Sequence, residues 1–359
     1  MIYLDANATE PLRPEARAAV VDALGLVGNP ASIHGAGRAA RQMLEGSRRV
    51  IAERYGAPVG GLVFTSGGTE ADALAVASLG RGRRVLIGAT EHDAVRAACE
   101  QAEVIPVDRD GAVDLSALEQ LLTAGGAALV CVMLANNETG TVQPIADVAT
   151  LCRRFGALLH VDAVPAAGRM AVDLAALGAD SLAVSGHKIG GPKGAGALLL
   201  ADDGHLAPLI AGGGQERGRR GGTPALPAIA GFAAAARCPL PDLLPLRAAL
   251  EDAAEARGAT VLGGPDRLAN TSCLALPGVR AETQVIALDL AGIAVSAGAA
   301  CSSGKVSRSH VLDAMGCGTL AGEAIRVSLP WNATAKDVAA FGTAYRAMVT
   351  RLGRLVGAS

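Results

Sequence analysis

Ala128-Leu-Val-Cys-Val-Met-Leu134, Leu158-Leu-His-Val-Asp162, Ser181-Leu-Ala-Val-Ser185 and Ala197-Leu-Leu-Leu200 are short, almost wholly apolar runs. A strand with one face in water alternates apolar and polar residues, whereas runs like these predict strands buried on both faces. Helix-sized segments separate most of them, and two earlier runs, Leu62-Val-Phe-Thr65 and Arg84-Val-Leu-Ile87, repeat the pattern. Residues Arg49 to Leu200 therefore predict an α/β unit on a mainly parallel sheet covered on both sides.

Past Phe232 the composition changes: Pro239, Pro241 and Pro245 fall close together, where an unbroken helix is costly. A boundary there divides the chain into a large α/β domain, residues 13–235, and a smaller α+β domain made of residues 1–12 and 236–359. The smaller one is expected to hold strands from Asn270 to Leu276, Ile293 to Ser296 and Ile325 to Leu329, a helix from Glu282 to Leu290 and a final helix.

Half of the 359 residues are hydrophobic, and at roughly 100–200 residues per domain the length suits two or three domains. The 32 Lys and Arg nearly cancel the 34 Asp and Glu, so nucleic acid is not an expected partner. No stretch reaches the roughly 20 apolar residues of a membrane span. Met1-Ile-Tyr-Leu-Asp5 lacks the basic and apolar regions of a secretory signal, so a cytoplasmic protein is expected. Seven cysteines with no CxxC pair suggest neither a zinc site nor a disulfide framework; most are expected to be inert and buried.

Polar residues concentrate at three strand ends. Ser185-Gly-His-Lys-Ile-Gly-Gly-Pro-Lys-Gly-Ala-Gly196 puts Lys188 just past a strand, at the sheet edge where open α/β folds bind ligands. Lys188 is a candidate nucleophile, and Ser185 and His187 offer a hydroxyl and an imidazole to an anion; the Gly-Lys-Ser/Thr ending of a nucleotide P-loop is absent. Asp162 ends its strand on the same face as His160. A carboxylate there, facing a lysine on the next strand end, suits the protonated ring nitrogen of a pyridine cofactor; alone, it reads as a helix cap or a solvated loop residue. Phe64-Thr-Ser-Gly-Gly-Thr-Glu70 leads from a strand into a helix, where the N–H groups around Gly68 and Thr69 can seat a phosphate, unless Thr69 is simply an N-cap.

These segments stand in an ordered series with Tyr3-Leu-Asp-Ala-Asn-Ala8, Gly28-Asn-Pro-Ala-Ser32, Glu91-His92, Asn136-Asn-Glu-Thr-Gly140, Arg217-Gly-Arg-Arg-Gly-Gly-Thr223 and Ala299-Ala-Cys-Ser-Ser303. Nearly end to end, the series resembles the NifS/IscS-like cysteine desulfurases, of the class V aminotransferase group of fold type I pyridoxal-phosphate enzymes. By that resemblance Lys188 would carry pyridoxal 5'-phosphate as a Schiff base and Asp162 would pair with its ring nitrogen. His92 would stack on the ring and move protons, and Asn137 would lie near the cofactor's 3-oxygen and the substrate. Gly68, Thr69, Ser185 and His187 would hold the phosphate, and Thr223 would reach the phosphate of the other subunit, implying a homodimer with shared active sites.

Cys301 and Arg326 select the reaction. Cys301 lies among small residues, with Lys305 and Arg308 near enough in sequence to favour the thiolate. Ile325, Val327 and Leu329 share one strand face, so Arg326 projects from the other, suited to a substrate carboxylate or to a structural salt bridge. The resemblance implies L-cysteine as substrate, a persulfide on Cys301, and hand-over to an iron-sulfur scaffold or another acceptor, with Cys301 a potential transient iron-sulfur ligand and no other metal. Two departures stand out: Pro165 where the family has a glutamine hydrogen-bonding the 3-oxygen, and Pro330-Trp331 where it commonly has Gly-Arg. Competing readings are a selenocysteine lyase or other class V enzyme, a non-catalytic partner-binding relative, and a dinucleotide-binding oxidoreductase. The last rests on Gly35-Ala-Gly-Arg-Ala-Ala40, which follows no hydrophobic strand.

Overall fold

The computed structural model describes residues 1–204, 206–298 and 308–356. Its strands, in chain order, are β1 (Ile2–Tyr3), β2 (Leu62–Thr65), β3 (Arg84–Gly88), β4 (Glu103–Ile105), β5 (Ala128–Cys131), β6 (Leu158–Asp162), β7 (Ser181–Ser185) and β8 (Gly196–Leu200). They continue with β9 (Thr260–Leu262), β10 (Thr271–Ala275), β11 (Ile293–Ala294), β12 (Ser296–Ala297) and β13 (Ala324–Ser328). The main sheet has the order β2-β8-β7-β6-β5-β3-β4. β8 is antiparallel to both neighbours and the other adjacent pairs are parallel. The fold is thus the α/β arrangement that the apolar runs predict. β5, β7 and β8 are buried along their whole length, which is why their sequences carry no alternation.

Helices cover the sheet by periodic burial. In Ile145–Phe155, Ile145, Val148, Ala149 and Cys152 recur at the spacing of one helix face and are buried, and Gly156 ends the helix with φ 66°. Ala and Gly allow close approach elsewhere: a Cβ on Gly68 would lie 2.6 Å from a Val164 methyl, so only glycine lets the helix Gly68–Leu79 start against the end of β6.

A second sheet, β12-β13-β10-β9, is antiparallel, and β1 pairs with β11. It has its own apolar cluster, in which Ile325, Val327 and Leu329 pack with Phe341 and Tyr345 of the closing helix Ala335–Val356. Leu4 of the N-terminal arm belongs to the same cluster. The prolines separate two helices, Leu226–Ala236 and Leu244–Glu255, with Pro245 tolerated in the first turn of the latter. The single strand expected from Ile293 to Ser296 is two: β11 joins the N-terminal strand while β12 joins β13, a change of partner that local pattern does not encode. β4 and β9 went unread because three-residue strands at a sheet edge carry little apolar signal; Val104 is 56% exposed.

The open edge of β2 is satisfied by side chains. Arg48 makes a two-pronged ion pair with Glu216, both contacts at 2.8 Å, and donates to the Leu62 carbonyl, while Glu216 accepts the Phe64 N–H at 2.9 Å. Glu216 and Arg217 both adopt left-handed backbone, φ 49° and 60°, conformations that non-glycine residues keep only when surroundings hold them. Replacing Glu216 by Ala would strand a buried guanidinium and an edge N–H together. Denaturant unfolding is expected to show a loss of about 3–5 kcal/mol, and an unchanged midpoint would refute the role given to this pair.

Candidate active site

The carboxyl ends of β6 and β7 and the N-terminal arm enclose a cavity of about 240 Å³. Lys188, Asp162, His92, Asn137 and Arg326 all line it, as do Gly68, Thr69, Ser185 and His187. Of the residues singled out from sequence, Thr223 does not line it and is exposed on its own chain. Cys301 lies outside the described residues, as does Lys305.

Lys188 ends a one-turn helix, Gly186–Lys188, directly after β7. Its ammonium donates to the carbonyls of Asn7 and, at 3.1 Å, Ala8. Its own carbonyl accepts from Arg169 at 2.9 Å, and Arg169 forms a buried pair with Glu10 at 3.3 Å. The arm that brings Asn7 and Ala8 to the lysine is thereby tied beneath it.

Asp162 accepts the Val164 N–H at 2.8 Å and is buried. Burial pushes its carboxyl up to about 7, and the nearby Asp72 pushes the same way. Burial also raises Asp72 to about 7 and holds Glu91 well above the usual carboxylate range. His160, on the same face of β6, touches Ser181 Oγ at 2.8 Å and Asp72 Oδ1 at 3.1 Å, and burial depresses it to about 4. Three carboxyl groups thus sit in or behind the cavity wall in surroundings that disfavour negative charge, a floor that a bound cation would stabilise.

His92 caps the short helix Asp93–Arg96: its Nδ1 accepts the Ala94 N–H at 3.0 Å. That bond leaves the proton of the neutral ring on Nε2, so the imidazole offers a donor there. His92 is thus at once a helix N-cap and part of the cavity lining.

Another part of the cavity lining offers groups that could receive an anion. Helix Gly68–Leu79 begins with Gly67 in the cap position and no side chain capping its N–H groups, so Thr69 is not the N-cap. Ser185 Oγ is buried and has no hydrogen-bond partner among the described residues, a state that costs free energy unless a ligand completes it. His187 is held neutral, its pKa pushed to about 4 by burial and then by Lys188, and its Nδ1 is 3.2 Å from Thr9 Oγ1. An uncapped helix start, an orphaned hydroxyl, a lysine and a buried carboxylate match the phosphate, aldehyde and ring nitrogen of pyridoxal 5'-phosphate.

Arg326 is 1% exposed, and Asp5 takes its Nη2 at 2.8 Å while the Asn137 carbonyl takes Nη1 at 3.2 Å. Its Nε has no partner among the described residues. The salt-bridge reading therefore holds, and the same guanidinium also reaches the cavity. Sequence reasoning missed Asn7, Asp72 and Arg169 as site residues: the first was visible only within a motif, and the other two as ordinary helix and loop residues. The cysteines need correction as well. Cys131, Cys152 and Cys273 are buried, with burial pushing all three thiols up, Cys152 to about 12, but Cys99, Cys238 and Cys317 are only half-buried. Among the described residues no group of three or more His, Cys, Asp and Glu could hold a metal ion, and no helix is long and apolar enough to cross a membrane.

Residues 2–341 match the family model for class-V aminotransferases. A cysteine desulfurase of Cereibacter sphaeroides is 45% identical over 94% of this chain and 92% of its own length. An IscS-like cysteine desulfurase of Mycobacterium tuberculosis is 37% identical over 94% and 93%. Among solved structures, a NifS-like protein from Rickettsia africae superposes with a TM-score of 0.90 at 34% identity, covering 97% of this chain and 99% of that one. SspA, solved in complex with cysteine, gives 0.81 at 28% identity, covering 92% and 99%. With the family model spanning almost the whole chain and relatives this similar over nine-tenths of it, the chain belongs to the class-V aminotransferase family, among its NifS/IscS-like cysteine desulfurases.

Proposed function

We propose that the protein is a cysteine desulfurase that takes sulfur from L-cysteine as a persulfide on Cys301, leaving L-alanine. The observation that carries this reading is the convergence of Lys188, Asp162, His92 and Arg326 on one cavity, next to a seat for an anion. Pyridoxal 5'-phosphate, when bound, supplies an electron sink that makes the bonds at the substrate's α- and β-carbons labile. Lys188 would hold it covalently and, once displaced by the substrate amine, remove the α-proton. Asp162 would hold a proton on the ring nitrogen; Ser185, His187 and the N–H groups at Gly68 and Thr69 would take the phosphate. His92 would stack on the ring and donate from Nε2. Arg326 would bind the substrate carboxylate, with Asn137 beside it.

The sulfur step balances without an outside oxidant. The Cys301 thiolate bonds to the substrate sulfur as the C–S bond breaks, its electron pair going to carbon, which is then protonated to the methyl group of alanine. A thiol of an acceptor, such as an iron-sulfur scaffold, would then attack the terminal sulfur, gaining it as its own persulfide and releasing the Cys301 thiolate. Thr223, exposed on its own chain, would complete the phosphate seat of a second copy in a homodimer, and residues 1–12 and 236–359 would form the smaller domain bearing Cys301. Free thiols at all six described cysteines suit a reducing cytoplasm.

Purified holoenzyme given L-cysteine and a reductant is expected to release sulfide and alanine in equal amounts, and Cys301→Ala to lose that release. Release undiminished in Cys301→Ala would sink the persulfide step, and none from either protein would sink the activity. In the cofactor-free chain, Asp162 titrates near 7 when folded against an ordinary 3.8, so its burial costs stability as pH rises from about 4 to about 7. Asp162→Asn is therefore expected to raise the Tm of that chain by a few degrees at pH 8 and by clearly less at pH 5, where only part of the cost has set in; equal shifts at both would refute the assignment. Pro165 lines the cavity and has no side-chain donor for the cofactor's 3-oxygen. Pro165→Gln should lower the pH midpoint of the bound cofactor's visible absorption by about one unit; an unmoved midpoint would count against the missing bond.

A further inference from the structure

Ser181, His160 and Asp72 form a buried polar chain that the proposed chemistry does not use. His160 Nδ1 lies 2.8 Å from Ser181 Oγ, and its Nε2 lies 3.1 Å from Asp72 Oδ1. The residue types are those of a hydrolytic triad, but His160 and Ser181 are wholly buried, so no substrate reaches the hydroxyl. The ring nitrogens are also exchanged relative to such a triad, in which Nε2 faces the serine. The other end of the chain does reach the cavity: Asp72 lines it together with Asp162, whereas His160 and Ser181 do not.

Strand β6 brings the two carboxyl groups together. His160 and Asp162 are two residues apart on one face of it, which separates them by roughly 7 Å. Asp72, from the helix Gly68–Leu79, bonds to the first and shares the cavity wall with the second. The titratable groups around Asp72 are His160 and Asp162 of β6, Cys131 of β5, and Glu91 and His92 just ahead of the helix Asp93–Arg96. The chain serves Asp72 in either charge state. A protonated Asp72 donates to Nε2 while Nδ1–H donates to Ser181; an ionised Asp72 accepts from Nε2–H while Nδ1 accepts from the Ser181 hydroxyl. The two arrangements differ by one proton, and both keep the two bonds of His160. Beside the neighbouring carboxyls alone Asp72 keeps its proton, and a cation held against Asp162 favours the ionised form.

We propose that Asp72 is a positioning residue of the cofactor's ring-nitrogen seat: held by His160, it supplies a second carboxylate that acts through Asp162 to keep that nitrogen protonated. The inference rests on the pyridoxal-phosphate reading of the cavity and gives Asp72 no contact with the cofactor itself. Its consequence is chemical, since the ring draws electrons from the substrate only while the nitrogen holds its proton.

The test uses the protein loaded with pyridoxal 5'-phosphate that is isotopically labelled at the ring nitrogen, whose NMR shift reports whether that atom bears a proton. Wild type, Asp72→Asn, Asp72→Ser and Asp162→Asn are titrated with pH, and bound cofactor per chain, kcat and KM for L-cysteine are measured for each. In both Asp72 variants the nitrogen is expected to lose its proton about one pH unit lower than in the wild type. Bound cofactor and KM should stay within about twofold while kcat falls, the pattern of a group that matters in the transition state. Asp162→Asn, which removes the ring's own partner, should move the midpoint further. An unmoved midpoint in both Asp72 variants overturns the proposal and leaves the cofactor reading in place, as does a loss of bound cofactor with an unmoved midpoint in what remains. A wild-type chain that takes up no pyridoxal 5'-phosphate, or an unmoved midpoint in Asp162→Asn, overturns the cofactor reading and the proposal with it.

Discussion

Asp5 is the point on which the site's assembly depends. One oxygen takes the Arg326 guanidinium at 2.8 Å and the other the Ser296 hydroxyl at 3.0 Å, so a single carboxylate from the N-terminal arm locks two strands of the smaller sheet. A guanidinium buried as deeply as that of Arg326 is costly to leave without such a partner. The rest of the arm follows from this fixed point. Leu4 enters the apolar cluster of the second sheet, and Asn7 bonds to the Asn137 carbonyl and Thr271, while its own carbonyl accepts from Lys188. Glu10 then meets Arg169 and the Trp331 N–H. The Pro330-Trp331 departure has a structural role here: Trp331 donates to the Pro11 carbonyl, and Arg13 lies over its ring at 4.8 Å.

The main sheet supplies the other half by geometry rather than by ion pairs. Parallel strands bring their carboxyl ends to one edge, so Asp162 at the end of β6 and Lys188 just past β7 come together from positions 26 apart in sequence. Burial then sets the electrostatics. The same apolar packing that stabilises β6 raises Asp162, while Asp72 and Glu91 behind it are raised too, and His160 is kept neutral. A protonated ring nitrogen brought against Asp162 would offset that cost.

Around the cavity, side chains are fixed by backbone and caps. His92 gains its orientation as an N-cap, Glu138 from the turn at Asn136, and Ser309 from its own helix start. These are ordinary local devices used at places where chemistry needs a fixed atom.

The sequence by itself determined the α/β class, the six longer runs that became β2, β3, β5, β6, β7 and β8, and the chemistry grouped at their ends. Continuous burial removes alternation from a strand, and that absence is readable without a structure. Lys188, Asp162 and Arg326 were legible because each sits at a strand end or opposite an apolar strand face, whereas His92 entered only through the resemblance. Only the tertiary structure decided the rest. It split the stretch from Ile293 to Ser296 between two sheets, satisfied the edge of β2 with Arg48 and Glu216, and paired Asp5 with Arg326 and Glu138 with Ser309. Such partners lie more than a hundred residues apart in sequence, and their pairing depends on which buried groups would otherwise go unsatisfied, a condition set only when the chain is packed.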